Sequence, residues 1–188
     1  MAIKTYKHGD KTKLSAHFAA NEFQCKCGKM HDFQIDDALI EKLETLFSAL
    51  NCSKIIVTSG YRCAAHDKAV GGNGSGQHTL GTAADICCYG QDGKPISSKL
   101  VCCKAQDIGF AGIANITPAY QYTHVDVRSA GKWYGDETKG NNTVTSDFYT
   151  YFGIEQGKIQ GMIQPDTISA KVEMNGTTYA GTLARTDK

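Results

Sequence analysis

The apolar positions between residues 37 and 50 recur with the spacing of an α-helix. The apolar side chains that return every three or four positions are Leu39, Ile40, Leu43, Leu46, Phe47 and Leu50. This spacing puts them on one face, which we expect to be buried against a core. Asp36 stands just before the run and is a residue type suited to cap a helix N-terminus. The pattern therefore predicts a helix over about 37–50.

Short β-branched and apolar runs follow this helix, separated by turn residues. "KIIVTSGYR" predicts a buried strand over 54–58 that ends in a turn. Residues 63–70 suit a short helix, and a loop rich in Gly, Asn and Ser follows it. Further along, "AADICCY" predicts a strand, "SSKLVCCKAQDIG" a helix capped by Ser97 or Ser98, and "AGIANI" and "YTHVDVR" two more strands. Residues 1–34 show no such period and are predicted to be irregular.

The last part of the chain has a different pattern. "ISAKVEMNGTTYAGTLAR" alternates apolar and polar residues on both sides of Asn175-Gly176, which is typical of a β-hairpin. A lone hairpin is marginally stable in water, so it needs a surface to pack on. We therefore divide the chain into a main domain at 1–150 and a C-terminal appendage with a β-hairpin at 151–188.

Composition describes a globular protein and narrows the choice of partners. Of the 188 residues, 41% are hydrophobic and 21% are charged, and the formal net charge is +1. A charge so close to neutral gives no electrostatic reason to expect nucleic acid or an anionic membrane as a partner. No apolar run approaches the roughly 20 residues that span a bilayer. The N-terminus lacks the apolar segment of a secretory signal, so we expect no export by that route.

Eight cysteines are many for this length, and they all lie between Cys25 and Cys103. Without an export signal, we interpret most of them as reduced, buried thiols that act as small apolar groups. A structural zinc at "CKCGKMH" is the less favoured alternative, because the sequence contains no CxxC pair.

Two histidines lie close to carboxylates in the middle of the chain. His78 follows the glycine-rich loop, and Asp85 begins the next predicted strand. His124 and Asp126 are two positions apart on a strand and therefore share a face. Two imidazoles and one carboxylate, with a fourth position left to water, form the usual ligand set of a catalytic zinc. Capped strand ends and ordinary ion pairs would explain the same residues without a metal.

Several motifs together resemble a known family. "SGYR" at 59–62, "HTLGTAAD" at 78–85 and "HVD" at 124–126 closely resemble the zinc peptidases of bacterial cell walls. These form the D-alanyl-D-alanine carboxypeptidase family, which includes phage-encoded L-alanyl-D-glutamate endopeptidases. The resemblance covers about residues 14 to 134. It implies an α+β fold, in which a small, mostly antiparallel sheet has helices packed on one side and a zinc cleft, as in the hedgehog signalling domain.

The resemblance also implies roles for individual residues. His78, Asp85 and His124 would ligate Zn²⁺, and Arg62 would hold a substrate carboxylate or the developing oxyanion, as a planar guanidinium can. Pairing of Arg62 with a structural acid is the alternative. Tyr61 would line the substrate groove or, equally, pack in the core.

One position departs from the family pattern. Many members carry an acid three residues before the last His ligand, where this chain has Gln121, which cannot accept the catalytic proton. We therefore count Gln121 among the substrate-contacting candidates. Asp126 is the candidate general base, or instead a residue that orients the His124 ring.

Two functions remain open on the sequence alone. The first is zinc-dependent hydrolysis of a peptide bond in peptidoglycan peptides, by a carboxypeptidase or an endopeptidase. The second is a catalytically inactive metal-binding, cell-wall-binding or structural module on the same fold. An enzyme of the first kind would stay in the cytoplasm until its release, or would travel with a phage particle, and would act at the bacterial cell wall.

Overall fold

The computed structural model describes residues 2–117, 119–140, 143–156, 167–174 and 177–184. Its strands are β1 Ile3–Tyr6, β2 Phe33–Asp36, β3 Lys54–Ser59, β4 Ala83–Tyr89, β5 Gly112–Thr117, β6 Tyr122–Asp126, β7 Trp133–Asp136, β8 Thr167–Met174 and β9 Thr177–Ala184. Its α-helices are α1 Asp37–Ala49, α2 Ala64–Ala69, α3 Ser98–Ile108 and α4 Phe148–Phe152. Short 3₁₀ helices cover Ala20–Phe23, Gln77–Leu80 and Glu137–Lys139.

The predicted order of elements from α1 to β6 is confirmed. The carboxylate of Asp36 accepts a hydrogen bond of 2.8 Å from the Ala38 amide and so caps α1. α3 begins differently from the prediction, since Ser97 occupies the N-cap position without a side-chain hydrogen bond. The side-chain oxygen of Gln121 instead accepts from the Ser98 amide at 2.8 Å. A residue far along the chain thus satisfies one of the free amide groups at the start of this helix.

The prediction that residues 1–34 are irregular is confirmed for most of the segment but is wrong for β1 and for the start of β2. β1 pairs antiparallel with β2, with Ile3 opposite Asp36 and Tyr6 opposite Phe33. Each strand has four residues, and β1 is mostly exposed, so neither carries a long alternating pattern. Residues 7–32 separate the two strands, and local periodicity does not report such a pairing.

A five-stranded sheet forms the centre of the α+β fold, in the order β3-β4-β6-β5-β7. The first three neighbouring pairs are antiparallel, and β5 and β7 are parallel. The predicted mostly antiparallel sheet therefore appears as a mixed sheet with one parallel edge. This edge strand, β7, lies beyond the elements that the sequence pattern predicted.

The two faces of the sheet have different chemistry. Ile86 on β4, Ile113 on β5 and Val125 on β6 are fully buried and belong to the core. α3 packs on β4, β5 and β6, and α1 packs on α3. Because successive residues of a strand point to opposite faces, Asp85 and His124 lie on the face that turns away from this core.

Gly112 on β5 makes room for a buried carboxylate. It pairs with Asp126 on β6, and a Cβ atom at this glycine would overlap the Asp126 carboxylate. Asp126 is itself fully buried. A residue without a side chain is therefore required opposite Asp126, and the acidic group occupies the space.

The strands of the predicted C-terminal hairpin are present. β8 and β9 pair antiparallel from Thr167 opposite Ala184 to Met174 opposite Thr177. The predicted turn, Asn175-Gly176, lies outside the described residues. α4 crosses residue 150 and packs on α3, where the Tyr149 hydroxyl donates to Asp107 at 2.6 Å. The division into parts at 1–150 and 151–188 stays a prediction.

Within the described ranges, no helix is both long and apolar enough to cross a membrane.

All eight cysteines lie in described segments. Their thiols are free, and six of them are buried, namely Cys25, Cys52, Cys87, Cys88, Cys102 and Cys103.

Replacing Gly112 with alanine should destabilise the protein, because the new methyl group competes with the Asp126 carboxylate for the same space. We expect the free energy of unfolding to fall by about 1–3 kcal/mol, the usual cost of overpacking, as measured by chemical denaturation. Gly76→Ala is the matched control, since a Cβ atom at this position would lie 4.0 Å from its nearest neighbouring atom and the backbone φ is −78°. Equal stability of the two variants would contradict this account of Gly112.

Candidate metal centre

Strand pairing brings two of the predicted ligands together. In the antiparallel pair β4–β6, Asp85 lies directly opposite His124. Residues opposite each other on one face have Cβ atoms about 4.5–5.5 Å apart, which lets their side chains meet. Asp126 is two positions beyond His124 on β6 and faces the same side.

His78 approaches this pair from the 3₁₀ helix Gln77–Leu80. The loop before it is organised by the buried Asp67, whose carboxylate accepts from the Gly74 amide at 2.9 Å. The backbone carbonyl of His78 accepts from the Arg62 amide at 3.1 Å. Its ring Nδ1 donates to the Gly60 carbonyl at 2.7 Å, because a carbonyl oxygen can only accept. The neutral ring therefore carries its lone pair on Nε2, which points into the site.

Three atoms with lone pairs converge at one point, on the face of the sheet that turns away from the core. His78 Nε2 lies 3.2 Å from Asp85 Oδ1 and 3.2 Å from His124 Nδ1. His124 Nδ1 lies 2.9 Å from Asp85 Oδ1. Their side chains are 8%, 11% and 12% exposed in the order His78, Asp85, His124. The three groups are therefore mostly buried, but each retains contact with solvent.

The far side of each group is held by a second contact. Arg62 donates from Nη2 to the outer oxygen of Asp85, and its Nε donates to the Ser59 hydroxyl at 2.8 Å. His124 Nε2 donates to Asp126 Oδ2 at 3.2 Å. Asp126 in turn accepts from Arg128, whose Nε lies 2.9 Å from Oδ1. Such outer contacts fix the tautomer and orientation of metal-binding side chains.

The charges in this site are strongly coupled. Burial would raise the pKa of Asp85, but hydrogen bonds from the protonated rings of His124 and His78 hold it well below its ordinary value. Burial would lower the pKa of His124, but its hydrogen bonds with Asp126 and Asp85 raise it to about 9. The carboxylates thus create a field that favours a positive charge between the rings, carried either by a proton or by a metal ion.

The residues fit a zinc ion. Two imidazole nitrogens and a carboxylate oxygen are a known catalytic zinc ligand set. Metal–ligand distances of about 2.0–2.2 Å in a tetrahedron separate the ligands by roughly 3.4 Å, close to the separations observed here. Because each group is anchored on its outer side, the donor atoms are held in place before any ion binds.

Comparison with known protein families matches residues 16–126 to Peptidase M15. This segment is more than half of the chain and contains all three converging side chains. The chain belongs to the peptidase M15 family. No curated protein matches the chain. Peptidases of the M15 family are typically zinc-dependent, which agrees with the donor set.

Within this M15 peptidase, the other predicted residues lie at different distances from the three donors. Arg62 reaches the site through Asp85, and it also pairs with Asp67 at 3.5 Å. Tyr61 packs against the hydrophobic core, and its ring contacts that of His31 at 6.2 Å between centroids. Gln121 binds the start of α3, as described above. Substrate contacts by Arg62, Tyr61 and Gln121 stay predictions.

Three further residues of the site were missed by sequence reasoning. The ring of Trp133 on β7 meets His124 edge-on, at 5.8 Å between centroids. Arg128 stacks on Trp133, with its guanidinium carbon 5.4 Å from the ring centroid. Glu137 follows β7 and interacts electrostatically with Asp85, His124 and Arg62. Only Arg128 could have been found from the sequence, since it lies two positions after Asp126 in "HVDVR" and so shares its face of the strand. Trp133 and Glu137 depend on β7, which the sequence pattern did not predict.

In the metal-free protein, the His124 ring should titrate near pH 9, and Asp126→Asn should lower this pKa. The reason is that the hydrogen bond from His124 to a charged Asp126 stabilises the protonated ring. Histidine ring signals followed by NMR as a function of pH give the measurement. Asp92→Asn, which removes an exposed carboxylate of a distant turn, serves as the control and should leave the curve in place. An unchanged His124 titration in Asp126→Asn would refute the assigned contact.

Proposed function

We propose that this protein is a zinc-dependent peptidase that hydrolyses a peptide bond in peptidoglycan peptides. The observation that carries the proposal is the convergence of His78 Nε2, Asp85 Oδ1 and His124 Nδ1 within 3.2 Å of one another, in a chain of the M15 family. The peptidoglycan substrate is supported by the "SGYR", "HTLGTAAD" and "HVD" motifs. They resemble those of cell-wall peptidases.

A zinc ion at this site would polarise the scissile carbonyl and lower the pKa of a water molecule to near 7. The side chains of the protein would hold that centre rigid. Arg62 fixes the outer oxygen of Asp85, so that its inner oxygen stays directed at the two rings. Asp126 fixes the His124 ring from behind, and the Gly60 carbonyl does the same for His78. The Arg62 side chain is 18% exposed, and we propose that its guanidinium also binds a substrate carboxylate.

Peptide hydrolysis also needs a general base, and two acids are candidates. Asp126 is fully buried, and hydrogen bonds from Arg128 and His124 hold its pKa well below the ordinary range despite its burial. It also contacts Nε2 of His124, the ring nitrogen that points away from His78 and Asp85. This geometry favours the orienting role over the role of proton acceptor.

Glu137 is better suited to accept the proton. It follows β7, beside the site. Desolvation and the charge of Asp85 raise its pKa, although His124 and Arg62 act in the opposite direction. A carboxylate whose pKa is moved towards neutrality is the usual form of a catalytic base. We therefore assign the role that Gln121 cannot fill to Glu137, which comes from a different element of the fold.

A non-catalytic module is the second candidate function, and Gln121 is the observation that favours it. In many relatives of the family this position carries an acid, whereas here the side chain binds the start of α3. Such a module would keep its metal and would bind cell-wall material without cutting it.

For the enzyme, we propose action at the bacterial cell wall after release from the cytoplasm or with a phage particle.

Incubation of the zinc-loaded protein with purified peptidoglycan should release new amine termini, which mass spectrometry of the soluble peptides assigns to one bond. His78→Ala should abolish this release, because it removes one of the three donors. A zinc-loaded protein that binds peptidoglycan yet releases no more termini than His78→Ala would favour the non-catalytic module.

Glu137→Gln should lower kcat by roughly 10²–10⁴-fold, the usual contribution of a general base, without changing the zinc content. Because Glu137 acts in its ionised form and its pKa is raised, wild-type activity should fall as the pH drops through a value above that of an ordinary glutamate. This acidic limb of the pH–rate profile should be lost from the residual activity of Glu137→Gln.

Glu41→Gln, on the exposed side of α1, is the control and should retain full activity. Asp126→Asn should chiefly weaken zinc binding, by about 10–100-fold, as the loss of an orienting partner does. If instead Asp126→Asn removed the acidic limb and Glu137→Gln kept it, Asp126 would be the base.

A further inference from the structure

A second group of metal-binding side chains lies outside the site described above. Among the described residues, Cys25, Cys27, His31 and Cys63 each offer one donor atom, and these atoms all lie within 4.8 Å of one another. Cys27 Sγ is 3.1 Å from His31 Nε2. From this geometry we infer that the four residues form a second, structural zinc site.

The ligand chemistry favours zinc. Three cysteines and one histidine are a common set in structural zinc sites, with four protein ligands and no open position. Zn–S distances of about 2.3 Å separate sulfurs in a tetrahedron by roughly 3.8 Å, so a small contraction of the cluster would suffice. Other cysteines have a different environment, since Cys52, Cys88, Cys102 and Cys103 are buried in the hydrophobic core.

Local backbone features hold these side chains in place. Gly28 follows Cys27 with a φ of +76°, a conformation that turns the chain and suits glycine. This turn brings His31 back towards Cys27. His31 Nδ1 donates to the Asp32 carbonyl at 3.0 Å, which leaves the lone pair of the neutral ring on Nε2, facing the sulfur. The Cys63 amide donates to Cys25 Sγ at 3.3 Å, the kind of contact that stabilises a thiolate ligand.

The cluster joins two segments that are distant in sequence. The Lys26 ammonium donates to the Thr58 carbonyl at 2.6 Å, and the Tyr61 amide donates to the Phe23 carbonyl at 2.8 Å. Cys63 directly follows Arg62, which holds Asp85 of the first site. A metal bound by the cluster therefore fixes the segment that carries Arg62, and its role is structural, independent of whether the first site catalyses a reaction.

Zinc content measured by elemental analysis of protein purified under reducing conditions tests this inference. We expect two equivalents in the wild-type protein, one in His78→Ala and one in Cys27→Ser. Cys103→Ala, which changes a buried cysteine outside the cluster, should retain two. The two single-site variants separate the sites, so that failure of the second site is distinguishable from failure of the first.

Cobalt substitution in His78→Ala gives a measurement that does not require any change in the cluster. A cobalt ion held by Cys25, Cys27 and Cys63 should show intense thiolate-to-metal charge-transfer absorption, which a site built from His and Asp lacks. Loss of the metal to a chelator should make these three thiols newly reactive towards a thiol reagent.

Three results would overturn the inference. One is a single equivalent of zinc in the wild-type protein that disappears in His78→Ala. Another is a cobalt spectrum of His78→Ala without thiolate bands. The third is a disulfide within the cluster, detected by mass spectrometry of the freshly purified, non-reduced protein.

Discussion

The candidate metal centre depends on the register of a single pair of strands. Because β4 and β6 run antiparallel with Asp85 opposite His124, a carboxylate and an imidazole meet on one face without any long loop to position them. A shift of one residue in β4 would turn Asp85 towards the helices and bring Ile86 out of the core, and the same shift in β6 would do so for His124 and Val125. The apolar core on one face of the sheet thus enforces the position of the polar groups on the other. His78 only has to be delivered to a pair that the sheet has already fixed.

Around this pair, the structure places hydrogen bonds that hold each donor on its outer side. Arg62 on Asp85, Asp126 on His124 and the Gly60 carbonyl on His78 leave each group with one donor atom directed inwards. Without a bound ion, the lone pairs of these three atoms repel one another. Their convergence therefore costs free energy unless a proton is shared among them. The elevated pKa of His124 expresses this cost. The same electrostatic repulsion favours the binding of a divalent cation at this site.

The proposed second site extends this view to the N-terminal segment. Residues 23–31 contact the end of β3 through Lys26, and they contact the turn at 60–63 through the Tyr61–Phe23 backbone hydrogen bond and the cysteine–histidine cluster. The turn carries both Gly60 and Arg62, which support the first site. The metal of the second site would thus fix the turn that supports the first site. The second site would have four protein ligands, and the proposed catalytic site three. This arrangement offers a physical reason for cysteines at these positions that burial alone does not supply, since Cys27 and Cys63 are only partly buried.

The sequence alone predicted the elements from α1 to β6 from their periodicity, and it pointed to the three converging side chains only through motifs that resemble those of a known family. Helical and strand periodicities are local, and the "HTLGTAAD" and "HVD" motifs fix their residues at constant offsets. Only the tertiary structure decided which groups surround those three. Arg62 meets Asp85 across 23 positions, and Cys63 meets Cys25 across 38. The β1–β2 pair, Glu137 beside the site and Gln121 at the start of α3 likewise depend on chain segments that meet only after the sheet has formed, which no local pattern encodes.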